Sequence, residues 1–238
     1  MTFANVGFCW GWNNQGQLGD GTTATRFKPV RVAGGLAFRR VLPGGNQSCG
    51  LTTGDVAYCW GRNDEGQLGD GTTLQRLRPV RVAGGRRYVH LVPGSASTCG
   101  VTLVNVAYCW GWNDGGQLGD GTHTQRLTPT RVLTDVRFSG TSPGSVHVCG
   151  VSTDKVAYCW GWNTFGGLGD GTFTSRSTPV PVAGARHFTE VSAGPTGLHT
   201  CGVTSANEVF CWGLNLYGQL GDGTTTNRPA PVRVAGAL

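Results

Sequence analysis

Residues 58–72 read YCWGRNDEGQLGDGT, and the phrase returns four more times. It is FCWGWNNQGQLGDGT at 8–22, YCWGWNDGGQLGDGT at 108–122, YCWGWNTFGGLGDGT at 158–172 and FCWGLNLYGQLGDGT at 210–224. Its cysteine sets the period: Cys9, Cys59, Cys109, Cys159 and Cys211 lie 50, 50, 50 and 52 residues apart. Each phrase leads into R-x-x-P and a short valine-rich run, and the first four continue through an apolar stretch ending in Pro-Gly or Ala-Gly to Cys-Gly and a turn. Glycine supplies 41 of 238 residues, more than twice the usual ~7%. Gly and Pro at this density exclude paired amphipathic helices, so the short apolar runs are strands between tight turns. Repeats of ~40–50 residues built from short strands predict an all-β chain folded as a β-propeller, one four-stranded blade per repeat. The expected organisation is a single domain over 1–238, with five units at 1–50, 51–100, 101–150, 151–202 and 203–238.

The WGxNxxGQLGDGT phrase resembles the repeats of the RCC1 (regulator of chromosome condensation) family, and the resemblance covers nearly the whole chain. It implies a propeller of RCC1-type blades, commonly seven of them. Relatives so implied include chromatin-bound exchange factors for a small GTPase and secreted bacterial proteins such as β-lactamase inhibitory protein II. The cysteine-bearing form of the repeat is closest in style to the secreted bacterial members.

Within the phrase, Trp10, Trp60, Trp110, Trp160 and Trp212 are expected between neighbouring blades, burying ~150–250 Å2 each. The glycines permit positive-φ turns, and Asp20, Asp70, Asp120, Asp170 and Asp222 are expected to form Asx turns. The glycine order G-x-x-G-x-G, with no helix after it, is not a phosphate cradle. Too few oxygens accompany each aspartate for calcium.

Aligning the units sets Met1 on Leu51 and Leu238 on Leu36. Closing five units needs the equivalents of residues 37–50, so the last blade is expected to be one strand short. The chain then reads as a fragment of a longer propeller, as an arc completed by another chain, or as an imperfectly closed ring. A piece of a larger assembly or longer gene is favoured, because an open strand edge invites pairing.

Eight cysteines pair at ten-residue spacing across a turn: Cys49 with Cys59, Cys99 with Cys109, Cys149 with Cys159 and Cys201 with Cys211. On a hairpin such residues face each other at Cα distances of ~4.5–5.5 Å, within reach of a disulfide. Cys9 is left as an unpaired thiol. No C-x-x-C knuckle suggests zinc. Four such bonds imply an extracellular or periplasmic location. No signal peptide stands at the start, although Met1 falls inside a repeat.

The net charge of +6 raises nucleic acid as a partner, but most of it is periodic. Arg26, Arg76, Arg126, Arg176 and Arg228 share one repeat position, and Arg31, Arg81, Arg131 and Arg233 another. The eight remaining arginines form no compact run of the kind a phosphate surface needs. Residues 140–144 read GTSPG and satisfy G-x-S-x-G, yet they align with a strand end in every other unit, where no strand–turn–helix elbow forms. The five histidines show no metal spacing. No catalytic residue, cofactor, metal or small-molecule substrate is expected, and no apolar run is long enough for a transmembrane helix.

Function is then sought where the units differ, on loops held by rigid strands. The first variable set is the x positions of W-G-x-N-x-x-G: Trp12, Arg62, Trp112, Trp162 and Leu214, then pairs that include Asp64-Glu65, Thr164-Phe165 and Leu216-Tyr217. The second precedes each Cys-Gly, at 45–48, 95–98, 145–148 and 195–200. In the inhibitor named above, aromatic side chains of these two loop sets touch the bound enzyme. The resemblance therefore marks Phe165, Leu216 and Tyr217, with His147 and His199, as partner-binding. The inhibitor's repeats lack the cysteines and the GDGT phrase, so its target does not carry over. Trp12, Trp112 and Trp162 fit either partner contact or packing around the channel. The expected function is a non-catalytic protein-binding module. The alternative is a structural subunit whose open blade another chain completes. A GTPase exchange factor is the third reading, and the cysteine pairs argue against that reducing-compartment role.

Overall fold

In the computed structural model the described residues are 5–194 and 197–236. The chain is an arc of antiparallel meander sheets. The first sheet pairs β1 (Phe8–Gly11) with β2 (Arg26–Arg31). The second runs β3 (Phe38–Pro43), β4 (Gln47–Thr52), β5 (Ala57–Gly61), β6 (Arg76–Arg81). The third runs β7 (Tyr88–Pro93), β8 (Ser97–Thr102), β9 (Ala107–Gly111), β10 (Arg126–Arg131). The fourth runs β11 (Phe138–Pro143), β12 (His147–Ser152), β13 (Ala157–Gly161), β14 (Arg176–Pro181). The fifth runs β15 (Phe188–Ser192), β16 (His199–Thr204), β17 (Val209–Gly213), β18 (Arg228–Arg233). First strands of successive sheets lie against one another and line the inner wall. Each four-stranded sheet straddles two sequence units.

The expected strand count needs correction. The last sheet is complete, and the short one is the first, with two strands among the described residues. Its missing partners are the equivalents of β3 and β4. Residues 37–50 hold two strands rather than one, because the chain turns back between Pro43 and Gln47, where Gly44 N–H donates to the Gln47 carbonyl.

The blades are joined by the repeated phrase. Trp60, Trp110, Trp160 and Trp212 are fully buried. Each indole Nε1–H donates to a carbonyl of the preceding unit, on Gln17, Gln67, Gln117 and Gly167, at 2.9–3.1 Å. On its other side each Trp meets the aromatic that opens its own sheet: Phe38, Tyr88, Phe138 or Phe188, at 5.7–6.1 Å between centroids. Gly69 shows why the loop needs glycine. Its φ is +70°, and a Cβ there would fall 2.5 Å from the Trp110 Nε1. Trp10 departs from the expectation and is 61% exposed, because no loop among the described residues covers it. Phe27, which corresponds to Leu77 beneath the loop of the unit before it, is 94% exposed for the same reason.

The four disulfides form, with Cys49 opposite Cys59 and the other pairs in the same register. Their Cα separations of 4.0–4.2 Å are shorter than expected, at the close end for directly opposed residues. Cys9 is unpaired and half-buried, and burial pushes its thiol up to about 11.

Candidate functional site

The constant side chains are consumed inside each blade. Asp70 Oδ1 accepts from the Thr72 N–H (3.0 Å) and hydroxyl (2.8 Å), which is the expected Asx turn. Its Oδ2 takes the Arg76 guanidinium at 2.8 Å, which explains the arginine at that repeat position. The same pair recurs at Asp20–Arg26, Asp120–Arg126, Asp170–Arg176 and Asp222–Arg228. Burial alone would raise the Asp70 carboxyl, but the bonds from Thr72 and Arg76 outweigh it and hold it below the usual range. At Asp222 the Thr224 hydroxyl leads, with Arg228, and the value falls to about 2.

Sequence reasoning passed over the asparagine of the phrase, although its invariance among the units was visible. Asn63 is buried. Its Oδ1 accepts from Leu68 N–H at 2.9 Å, and its Nδ2 donates to the carbonyls of Thr72 (2.9 Å) and Leu74 (3.0 Å). Asn13, Asn113, Asn163 and Asn215 do the same.

The variable positions behave otherwise, and the two loop sets meet on one rim. The backbone N–H of Arg62 donates to the Asn46 carbonyl, Trp112 to Ala96, Trp162 to Val146 and Leu214 to Leu198, each at 3.0 Å. Side chains project from this seam. Trp12, Trp162, Leu216 and Tyr217 are exposed, Tyr217 at 90%. Trp162 packs against Gly115 of the preceding unit and meets Phe165 edge-on at 6.3 Å, so the fourth unit carries a joined aromatic pair. Trp112 is half-buried. Arg62 is tied to Asp64, Nη2 to Oδ2 at 2.7 Å, making that part of the rim an ion pair instead of an apolar anchor.

His147 requires a correction. It is the first residue of β12, not a loop residue, and is 1% exposed. Its Nε2 bonds to the Thr200 hydroxyl at 2.8 Å, and that hydroxyl donates to the Gly167 carbonyl at 2.9 Å. With Thr200 accepting, His147 is the Nε2–H tautomer. Desolvation, with His199 nearby, lowers its value to about 4. It is a tie between blades, as is Gln47 at the same position of β4, whose Nε2 donates to the Gly94 carbonyl at 3.0 Å. That alignment was the signal in the sequence. His199 opens β16 and is half-buried, and residues 195 and 196 of its loop lie outside the described residues.

Several non-repeating arginines have internal work. Arg39 pairs with Asp55 at 2.8 Å and donates to the Tyr88 carbonyl, while Arg86 and Arg186 lie over Tyr108 and Phe210. Residues 140–144 run along β11 and its end, so no nucleophile elbow forms.

The repeat described as Regulator of chromosome condensation (RCC1) matches residues 8–51, 55–101, 106–151, 156–201 and 207–238. Among solved structures the chain is similar to human WBSCR16, with 20% identity and a TM-score of 0.86 over 98% of this chain and 63% of that one. It is likewise similar to Prp20p of Saccharomyces cerevisiae, at 20% identity and a TM-score of 0.84 over 98% and 60% of the two chains. That structure is described with the protein's binding to Gsp1p and histones. The ectodomain of the Arabidopsis thaliana receptor kinase ACR4 is more distant, at 22% identity and a TM-score of 0.53 over 76% and 58%. The chain thus spans about three fifths of the length of the structures it matches. At these identities the likeness is one of fold. With its five matched segments covering most of the residues, the chain belongs to the RCC1 repeat family.

Proposed function

We propose that this chain is a non-catalytic protein-binding module, working in an extracellular or periplasmic compartment. Its partner is a protein that docks on the rim carrying Trp12, Trp162, Phe165, Leu216 and Tyr217. The observation that carries the proposal is the division of labour on that rim. Backbone amides secure the loops, and the side chains of Trp12, Trp162, Leu216 and Tyr217 are left exposed, with Phe165 half-buried against Trp162. Exposed aromatics on a rigid frame are the residues that dominate protein interfaces. The four cysteine pairs at bonding distance favour the oxidising compartment. The test is capture from the native source with the disulfide-intact protein, beside a Phe165→Ala/Tyr217→Ala variant. A partner held by the parent and lost by the variant, at unchanged melting temperature, supports the reading. Equal capture moves the partner to another surface.

A second reading, that the chain is a structural subunit completed by a further chain, rests on the first sheet. A groove of about 770 Å3 lies beside β1, lined by Cys9, Trp10, Trp12, Val41 and Leu42 among others. In every other sheet that space holds two strands, and one of them carries the cysteine that pairs with its neighbour. A peptide patterned on residues 187–202 supplies such a hairpin. Protection of Cys9 from alkylation by it favours this reading, and no protection counts against it.

A further inference from the structure

The hairpin turns after β4, β8, β12 and β16 lie at the end of the blades away from the rim, and one of them breaks a polar pattern. Residues 53–55 are Thr-Gly-Asp, 153–155 are Thr-Asp-Lys and 205–207 are Ser-Ala-Asn, but 103–105 are Leu-Val-Asn. The structural duties of that turn fall on its flanking residues. Asn105 takes the positive φ of 60°, and its N–H donates to the Thr102 carbonyl at 2.9 Å. The Thr102 hydroxyl accepts from the Val106 N–H at 3.3 Å. Leu103 and Val104 are left at the apex, 53% and 70% exposed. Two adjacent aliphatic side chains held in water at a hairpin tip gain nothing from the fold.

Arginines stand on both sides of this tip. Arg87 precedes Tyr88, which lies opposite Thr102 in the ladder, and Arg87 itself bridges to Val56 of the neighbouring turn. Arg137 precedes Phe138, whose N–H donates to the Asn105 carbonyl at 2.9 Å. Both arginines are exposed and neither has an ion pair among the described residues. At the same end Arg31, Arg81 and Lys155 are likewise exposed and without an ion pair among the described residues. Of the acids there, Asp55, Asp135 and Glu208 already face Arg39, Arg131 and Arg233, which leaves Asp154. The balance reverses at the rim, whose variable positions hold Asp64, Glu65 and Asp114 beside Arg62. The turn end therefore surrounds an apolar tip with uncompensated positive charge.

We infer that the turn end docks on an anionic lipid bilayer, with Leu103 and Val104 entering the headgroup boundary and Arg87 and Arg137 bonding lipid phosphates on either side. A soluble polyanion would answer the arginines and leave the aliphatic tip in water. A bilayer answers both, because it sets an apolar layer directly beneath its acidic headgroups. Docked in this way the arc keeps its rim turned to solvent. The two surfaces are at opposite ends of the blades, so the inference does not rest on the rim reading.

The test is cosedimentation of the disulfide-intact protein with vesicles of equal parts phosphatidylcholine and phosphatidylglycerol, beside vesicles of phosphatidylcholine alone. Saturable binding to the mixed vesicles, weaker at higher salt and lost on the neutral ones, is expected. Leu103→Thr/Val104→Gly copies the turn of the second sheet, Thr53-Gly54, and should weaken binding by at least about tenfold through the lost apolar burial. Arg87→Ala and Arg137→Ala copy Ala37, which holds the same repeat position, and should each weaken binding about fivefold. Melting temperature is the control for the fold in all three variants. No binding to the mixed vesicles, or equal binding to the neutral ones, overturns the inference. So does undiminished binding by the Leu103→Thr/Val104→Gly variant, which would mean that charge alone is read. Polyphosphate that then competes equally against parent and variant would make the ligand a soluble polyanion. Binding that survives the turn variant and is lost in Phe165→Ala/Tyr217→Ala would put the bilayer on the rim, and also overturns it.

Discussion

Replacing Trp110 by alanine removes a fully buried indole from the joint between two blades, where it fills the space between the preceding loop and Tyr88. Core Trp→Ala changes cost ~3–5 kcal/mol, mostly as transfer and cavity terms. The lost indole bond adds little, because the Gln67 carbonyl still accepts from Thr98 at 2.8 Å. Trp10→Ala is the same substitution at the same repeat position, but that indole is 61% exposed. About two fifths of the burial remains to be lost, which scales the cost to about 1.5 kcal/mol or less. For a chain of this size ~2–4 °C of melting temperature follows each kcal/mol. Thermal unfolding monitored by near-UV circular dichroism should then show a drop of roughly 6–20 °C for Trp110→Ala and about 6 °C or less for Trp10→Ala. Equal drops would refute the argument. They would mean that the face bearing Trp10 and Phe27 is covered in solution, and that the arc is not open at its first sheet.

Reduction should cost about 2–3 kcal/mol for each ten-residue loop opened, and Cys201–Cys211 should open first because Cys201 is only half-buried while the other pairs are wholly buried. Timed alkylation after mild reductant, read by mass spectrometry, gives the order. Acid should destabilise the fold in two stages. A His held at about 4 in the folded state, against 6.5 unfolded, contributes stability present above pH 6.5 and lost as pH falls towards 4, about 3 kcal/mol for His147. His147→Gln should flatten that stage in urea titrations at pH 7 and pH 4.5. The lowered aspartates, Asp222 at about 2 among them, contribute stability present above ~4 and lost below it. At the hairpin turns Asp55, Asn105 and Asn207 take positive φ, and Lys155 does so at 64°. Lys155→Asn should therefore raise stability by up to about 1 kcal/mol in the same assay, since asparagine tolerates that conformation best among residues with a side chain.

The repeated phrase was legible because a propeller solves one contact problem once per blade. Trp110, Gly69, Asp70 and Arg76 each do a job that recurs, so their identity recurs. The hairpin disulfides were legible for the same reason, ten residues being the span of one hairpin. Other features depend on something the period does not record. Trp10 is identical in type to Trp110, and it is exposed because no loop among the described residues covers it as the Gln67 loop covers Trp110. Residues 37–50 hide a second strand because the reversal at Pro43–Gln47 is too tight to read as a loop between apolar runs. His147 reads as a loop residue because the segment just before Cys-Gly varies between units, yet it starts a strand and bonds between blades.

That last case shows what separates a variable position that is free from one that is not. Where the fourth sheet puts His147 between blades, it also replaces the glutamine of the phrase by Gly167. A Cβ on Gly167 would stand 3.3 Å from the His147 ring. The two departures compensate each other, and such variation carries no message to a partner. At the rim position of Arg62, Trp112, Trp162 and Leu214, the contact that holds the loop is a backbone N–H, which any residue but proline supplies. The residue one step further on does its bonding through its side chain and is asparagine in all five units. Side-chain identity is thus constrained at one position and released at the next. A position whose structural duty falls on the backbone can change its side chain without loss of the fold, and the rim is built from such positions. Apolar side chains there gain nothing from the fold by being exposed, as Tyr217 is. A surface that keeps them is suited to burying them against another protein.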